Sequence, residues 1–121
     1  MEYLSKALTL LVAVEHVYIL VLEMFFWTHK RALRVFGQSL TFAKSSKAMA
    51  ANQGLYNGFL AGGLFWGLLH SNDHFAFQIQ AFFLCCVIIA AAYGALTVKG
   101  SIIVLQGVPA ILAMLCLLLV G

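Results

Sequence analysis

Charge is scarce in this sequence. Only 9% of its 121 residues are charged, against about a quarter in an ordinary soluble domain. A fold that keeps itself in water by a charged surface is excluded, and the chain has no room for a soluble domain beside its apolar stretches. Proline occurs once, at Pro109, so long helices are interrupted at one place by that residue type. Cysteine occurs three times, as Cys85, Cys86 and Cys116, inside apolar stretches and without the spacing of a zinc site or a disulfide framework. The cysteines are expected to pack, with no metal and no cofactor. A basic patch with interleaved aromatics is missing outside one loop, which argues against nucleic acid as a partner. A constellation with a nucleophilic Ser or Cys is missing too, which argues against acyl transfer.

What fills the chain instead is hydrophobic residues, 64% of the total. About 20 apolar residues cross a hydrocarbon layer of roughly 30 Å, and four stretches reach that length: 3–27, 49–69, 75–96 and 102–120. The first is too long for a signal peptide, carries Glu15, His16 and Glu23, and ends without a small-residue cleavage site, so it is expected to be retained. The fold class predicted is an all-α membrane protein. It is a single domain over 1–121, a four-transmembrane-helix bundle with an amphipathic cytoplasmic segment between helices one and two.

Lys and Arg near span ends stay on the cytoplasmic side. Lys30, Arg31, Arg34, Lys44 and Lys47 lie between spans one and two and Lys99 between spans three and four, with Lys6 alone on the other side. This bias predicts a multi-pass protein of the plasma or inner membrane with both termini outside. Between Thr28 and Ala48 the basic residues alternate with Leu33, Val35, Phe36, Leu40 and Phe42, a pattern of segments that lie on a membrane surface, and Gly37 is a natural break within it. The connection His70–His74 reads HSNDH. His70, Asp73 and His74 have ligand-like spacing, but Ser-Asn-Asp favours a tight turn over a metal site.

Ionisable groups inside a span cost roughly 2.5–3.5 kcal/mol each on insertion scales, so they persist where they face a protein interior. Span one holds three. With Glu15 at about 0° on a helical wheel, Glu23 falls near 80°, His16 near 100° and both Thr9 and Trp27 near 120°, a single sector. In span two, Gly54, Gly58 and Gly62 form a packing face, and Asn52, Gln53, Tyr56 and Asn57 are placed on the side opposite. By depth, Glu23 meets Asn52, Gln53 and Asn57, with Tyr93 and Gln106 at a similar level; Gln106 also lies one turn before Pro109, where a kink is expected. The expectation is a polar pocket in the cytoplasmic half. Its catalytic candidates are Glu15, His16 and Glu23, and its ligand-binding candidates are Asn52, Gln53, Tyr56, Asn57, Tyr93, Gln106 and Trp27. Asn and Gln also act as neutral glue between helices, but two carboxylates and a histidine on one stripe are a costly way to make glue.

Five stretches are specific: EHVYILVLEMFFW from Glu15 to Trp27, VFG from Val35 to Gly37, NQGLYNGFLA from Asn52 to Ala61, AAYGALTV from Ala91 to Val98 and QGVPA from Gln106 to Ala110. Together they make the chain resemble, over its whole length, the domain of unknown function 1304 family of small four-span membrane proteins. The resemblance implies the four-span fold and no reaction. The family's motif residues fall here on Glu15, His16, Glu23, Asn52, Gln53, Asn57 and Gln106.

Three functions compete. Carboxyl and imidazole groups screened from water suit proton donation and abstraction on a lipophilic small molecule entering from the bilayer, as in an isomerase, a cyclase or an epoxide-opening enzyme. A proton-coupled transporter or exporter is the alternative, and an accessory subunit docking by its polar stripe is a further one. Membrane lipids are the expected partners, together with that small molecule, and a homodimer remains open. Glu23→Gln and His16→Ala are expected to remove activity and to leave folded yield nearly intact.

Overall fold

A computed structural model describes residues 1–98, 100 and 103–121. It contains six α-helices among these residues: α1 (Glu2–Phe25), α2 (Lys30–Phe36), α3 (Leu40–Ser45), α4 (Lys47–Leu69), α5 (Asp73–Thr97) and α6 (Val108–Val120), with a π-helical turn at Ile103–Gly107. Lys99, counted in the charge bias, and Ile102, the expected start of the last span, lie outside the described residues.

Among the described residues, three helical stretches are long and apolar enough to cross a membrane: Glu2–Phe25, Asp73–Thr97 and Ile103–Val120. The fourth long helix, α4, has 23 residues but a lower hydropathy, because Asn52, Gln53, Asn57 and five glycines dilute its apolar content. The described residues are thus all-helical, with membrane-spanning character in at least three helices.

The chain divides into two compact units, 1–14 with 60–121, and 15–59. The first has a core of Val12, Leu64, Leu84, Val87, Ala113 and Leu117. Small residues bring its helices together: Gly63 lies under the Phe83 ring, and Gly67 against Gln80. Asn72 caps α5 by accepting from the Phe75 N–H at 3.1 Å, which fixes the polar turn before it. In that turn His70 Nδ1 accepts from the Asn72 N–H at 3.1 Å. Where a kink is expected at Pro109, the structure has a π-helical turn directly before α6. Proline has no N–H and its ring crowds the carbonyl four residues earlier, and the wider turn immediately before α6 accommodates both, with Gln106 inside it.

The second unit holds the end of α1, the two short helices and the start of α4. The break expected at Gly37 is where α2 ends, with φ 63°, a left-handed conformation natural to glycine. Ser39 then caps α3 through the Phe42 N–H at 3.1 Å. A small core of Trp27, Ala43 and Ala50, bordered by Leu33 and Phe36, holds the short helices to the long ones. Arg31 adds a tie from α2 to α1: its Nε donates to the Tyr18 hydroxyl, and its guanidinium lies 5.5 Å from the centre of that ring.

Candidate functional site

The buried sector of α1 follows from its sequence period. Ser5, Thr9, Val12, His16, Ile19 and Glu23 are all buried, and at about 100° per residue they share one side of the helix. Glu15, at the edge of that sector, is partly exposed, and its Oε1 is buried without a hydrogen-bond partner among the described residues. His16 is 1% exposed and Glu23 7%.

Within the second unit Glu23 meets α4. Its Oε1 accepts from Asn57 Nδ2 at 2.7 Å, and the same nitrogen donates to the Gln53 carbonyl at 3.2 Å. Both acceptors are oxygens, so the Asn57 amide is oriented unambiguously, nitrogen toward Glu23. Close approach of the helices makes the bond reachable. A Cβ at Gly54 would lie 2.7 Å from Met24 Cγ, 3.1 Å from Glu23 Cβ and 3.3 Å from the Leu20 carbonyl; one at Gly58 would lie 2.6 Å from Leu20 Cδ1. Gly62 has nothing within 4 Å, so the packing face toward α1 comprises Gly54 and Gly58 but not Gly62. Asn57 does not lie opposite these glycines as the sequence suggests. It is only about 60° from Gly54 on the wheel, and that flank position lets its side chain reach α1.

The other candidates have their own surroundings. Gln53 contributes its backbone carbonyl, while its side chain, Asn52 and Tyr56 are exposed, Tyr56 edge-on to Phe59. Trp27 is occupied in packing, since its Nε1 donates to Ser46 Oγ at 3.2 Å and its ring centre is 5.0 Å from that of Phe36. Tyr93, 69% exposed, and the partly exposed Gln106 belong to the first unit. No group of three or more His, Cys, Asp or Glu placed to hold a metal ion occurs among the described residues.

Two buried polar residues, Ser5 and Gln80, were not singled out from the sequence, while Thr9 was placed on the polar sector of α1. Ser5 Oγ, Thr9 Oγ1 and Gln80 Oε1 are buried with no hydrogen-bond partner among the described residues. The signal was available for Ser5, which lies four residues before Thr9 on the wheel sector of His16 and Glu23.

A family model described as "Protein of unknown function (DUF1304)" matches residues 10–118. The uncharacterized protein YpaA of Lactococcus lactis subsp. lactis (strain IL1403) is 38% identical over 117 residues, covering 95% of this chain and 97% of that protein. No solved structure matches the chain.

Proposed function

The chain belongs to the DUF1304 family, and we propose that it is a membrane-embedded acid–base catalyst acting on a lipophilic small molecule. The observation that carries the reading is a carboxyl group, Glu23, buried within a helix long and apolar enough to span a membrane, whose partner is the neutral amide of Asn57. A carboxylate kept only for structure is more cheaply replaced by a neutral group. Asn57 occupies Oε1, so Oε2 is the atom assigned to proton exchange. Glu15 and His16 are assigned as further proton-transferring groups, with Asn52, Gln53 and Tyr56 contacting the ligand.

In this reading α4 is a fourth span. Its 23 residues measure about 34 Å at about 1.5 Å each, enough for the hydrocarbon layer. The chain is then a four-helix bundle of the plasma membrane with both termini outside, and the basic segment that holds α2 and α3 lies in the cytoplasm.

The test is solvent isotope incorporation. Protein reconstituted with lipid extract is incubated in D2O, and the extract is compared by mass spectrometry with a sample containing Glu23→Gln. Catalysis by proton transfer to carbon labels a lipid-soluble compound only with the native protein. Identical extracts in both samples would remove the reading.

A proton-coupled transporter is the second reading. Ser5 and Thr9 favour it, because they continue the buried polar side of α1 beyond His16. Proteoliposomes with a trapped pH indicator test it: a transporter acidifies or alkalises the lumen on substrate addition, and an enzyme does not.

A further inference from the structure

Ser5, near the start of α1, and Gln80, about two turns into α5, line one cavity of about 250 Å³ in the first unit, together with Glu2, Lys6 and Asp73. Ser5 is 3% and Gln80 5% exposed. Neither Ser5 Oγ nor Gln80 Oε1 has a hydrogen-bond partner among the described residues.

The Gln80 amide has one allowed orientation. Its Nε2 donates to the Gly67 carbonyl at 3.2 Å, and a carbonyl only accepts, so the amide oxygen must face away from Gly67. Gly67 itself leaves little room for adjustment, since a Cβ there would lie 2.7 Å from Gln80 Cγ and 3.1 Å from the Gln80 backbone nitrogen. The result is a fixed, buried acceptor with no protein donor among the described residues, which is costly unless something supplies one.

The surroundings specify that donor. Glu2 and Asp73 add two carboxylates to the cavity wall, and Lys6, the one cation there among the described residues, lies 3.4 Å from Glu2. Acceptors outnumber donors. A primary ammonium supplies a positive charge and three N–H groups, whereas a quaternary ammonium supplies the charge and no N–H.

Lys6 also borders a second space, an apolar groove of about 420 Å³ lined by Leu10, Phe65, Leu68 and Leu69. Acidic cavity, lysine and apolar groove therefore adjoin in the order in which a phospholipid with an amine headgroup carries its ammonium, phosphate and acyl chain. We propose that the cavity and the groove together bind one such lipid. Its ammonium is directed to Glu2, Asp73 and Gln80 Oε1, its phosphate to Lys6, and a chain lies along Leu10 and Phe65. None of these residues takes part in the acid–base reading, so the two stand or fall separately.

Native mass spectrometry of the detergent-purified protein tests the proposal. Phosphatidylethanolamine, phosphatidylcholine and phosphatidylglycerol with identical acyl chains are added singly, with free ethanolamine as the source control. The native chain is expected to retain phosphatidylethanolamine about tenfold better than phosphatidylcholine. Glu2→Gln and Asp73→Asn, alone and together, are expected to reduce that ratio toward one. Lys6→Ala is expected to weaken both zwitterionic lipids and to leave their ratio in place. Because Glu2, Lys6 and Asp73 are exposed, these variants test binding without emptying the core. Equal retention of the two zwitterionic lipids, preference for phosphatidylglycerol, or a ratio untouched by the acidic variants would overturn the proposal. Binding of free ethanolamine in place of the lipid would overturn it too, by assigning the cavity to a soluble amine.

Discussion

At the scale of single residues, the Glu23–Asn57 bond allows function and stability to be separated. In Glu23→Gln the new amide oxygen still accepts from Asn57 Nδ2, so thermal unfolding in detergent is expected to change by no more than about 1 kcal/mol. Any catalysis through the carboxyl is lost. Asn57→Ala does the reverse to the packing: it leaves a buried carboxyl short of a donor, an expected cost of about 1–3 kcal/mol, read as a lower melting temperature. His16 needs a different probe from the one its sequence suggests. At 1% exposure it is among the largest fully buried side chains, and truncation to Ala opens a void at an expected cost of about 2–4 kcal/mol. His16→Gln, which keeps volume and hydrogen-bonding atoms, is the substitution that isolates proton transfer.

At the scale of the helices, three glycines of α4 with the same spacing have three different surroundings. Gly54→Ala meets Met24, Glu23 and the Leu20 carbonyl, and backbone cannot rotate away as a side-chain tip can. Its expected cost is about 1–3 kcal/mol. Gly58→Ala meets only the end of the Leu20 side chain and is expected to cost less, while Gly62→Ala, with nothing within 4 Å, is expected to be neutral or slightly stabilising. Thermal unfolding of the three variants checks the order; a Gly62→Ala as costly as Gly54→Ala would mean that small-residue spacing, and not the approach of α1, sets the effect. These glycines also mark how far the sequence could be read. The break at Gly37 and the polar turn before α5 were legible, whereas the capping roles of Ser39 and Asn72 were not read from the sequence. The glycine face was legible as a pattern but not its partners, since a spacing of four does not say which neighbour approaches. The flank position of Asn57, about 60° from Gly54 on the wheel, was legible in the sequence as well, although Asn57 was expected on the opposite side. Ser5 and Gln80 escaped because a buried hydroxyl or amide is unremarkable in sequence, and only the lack of a partner among the described residues singles it out.

For the whole molecule, the open quantity is the number of crossings, and it has a parity. Helices α1, α5 and Ile103–Val120 meet the length and hydropathy of a span, whereas α4 meets the length and carries more polar residues. Ser45, at the end of α3, and Ser71, between α4 and α5, are both exposed and flank α4. If α4 crosses the membrane these two positions lie on opposite sides; if it rests on the surface they lie on the same side. With Cys85, Cys86 and Cys116 replaced by Ala, single cysteines at positions 45 and 71 report this through a maleimide that does not cross membranes. The four-span arrangement predicts labelling of Ser71→Cys in intact cells and of Ser45→Cys only after permeabilisation. Labelling of both before permeabilisation, or of neither, removes α4 as a span. The basic residues then test the cause of the orientation. Arg31 is tied to Tyr18, so replacing it removes a contact as well as a charge, whereas exposed Lys30, Arg34, Lys44 and Lys47 can be exchanged for Gln with little effect on packing. If the positive charge of this segment fixes the topology, the fourfold exchange is expected to yield a mixed population in which Ser45→Cys becomes partly labelled in intact cells. Unchanged labelling would place the orienting signal in the helices themselves.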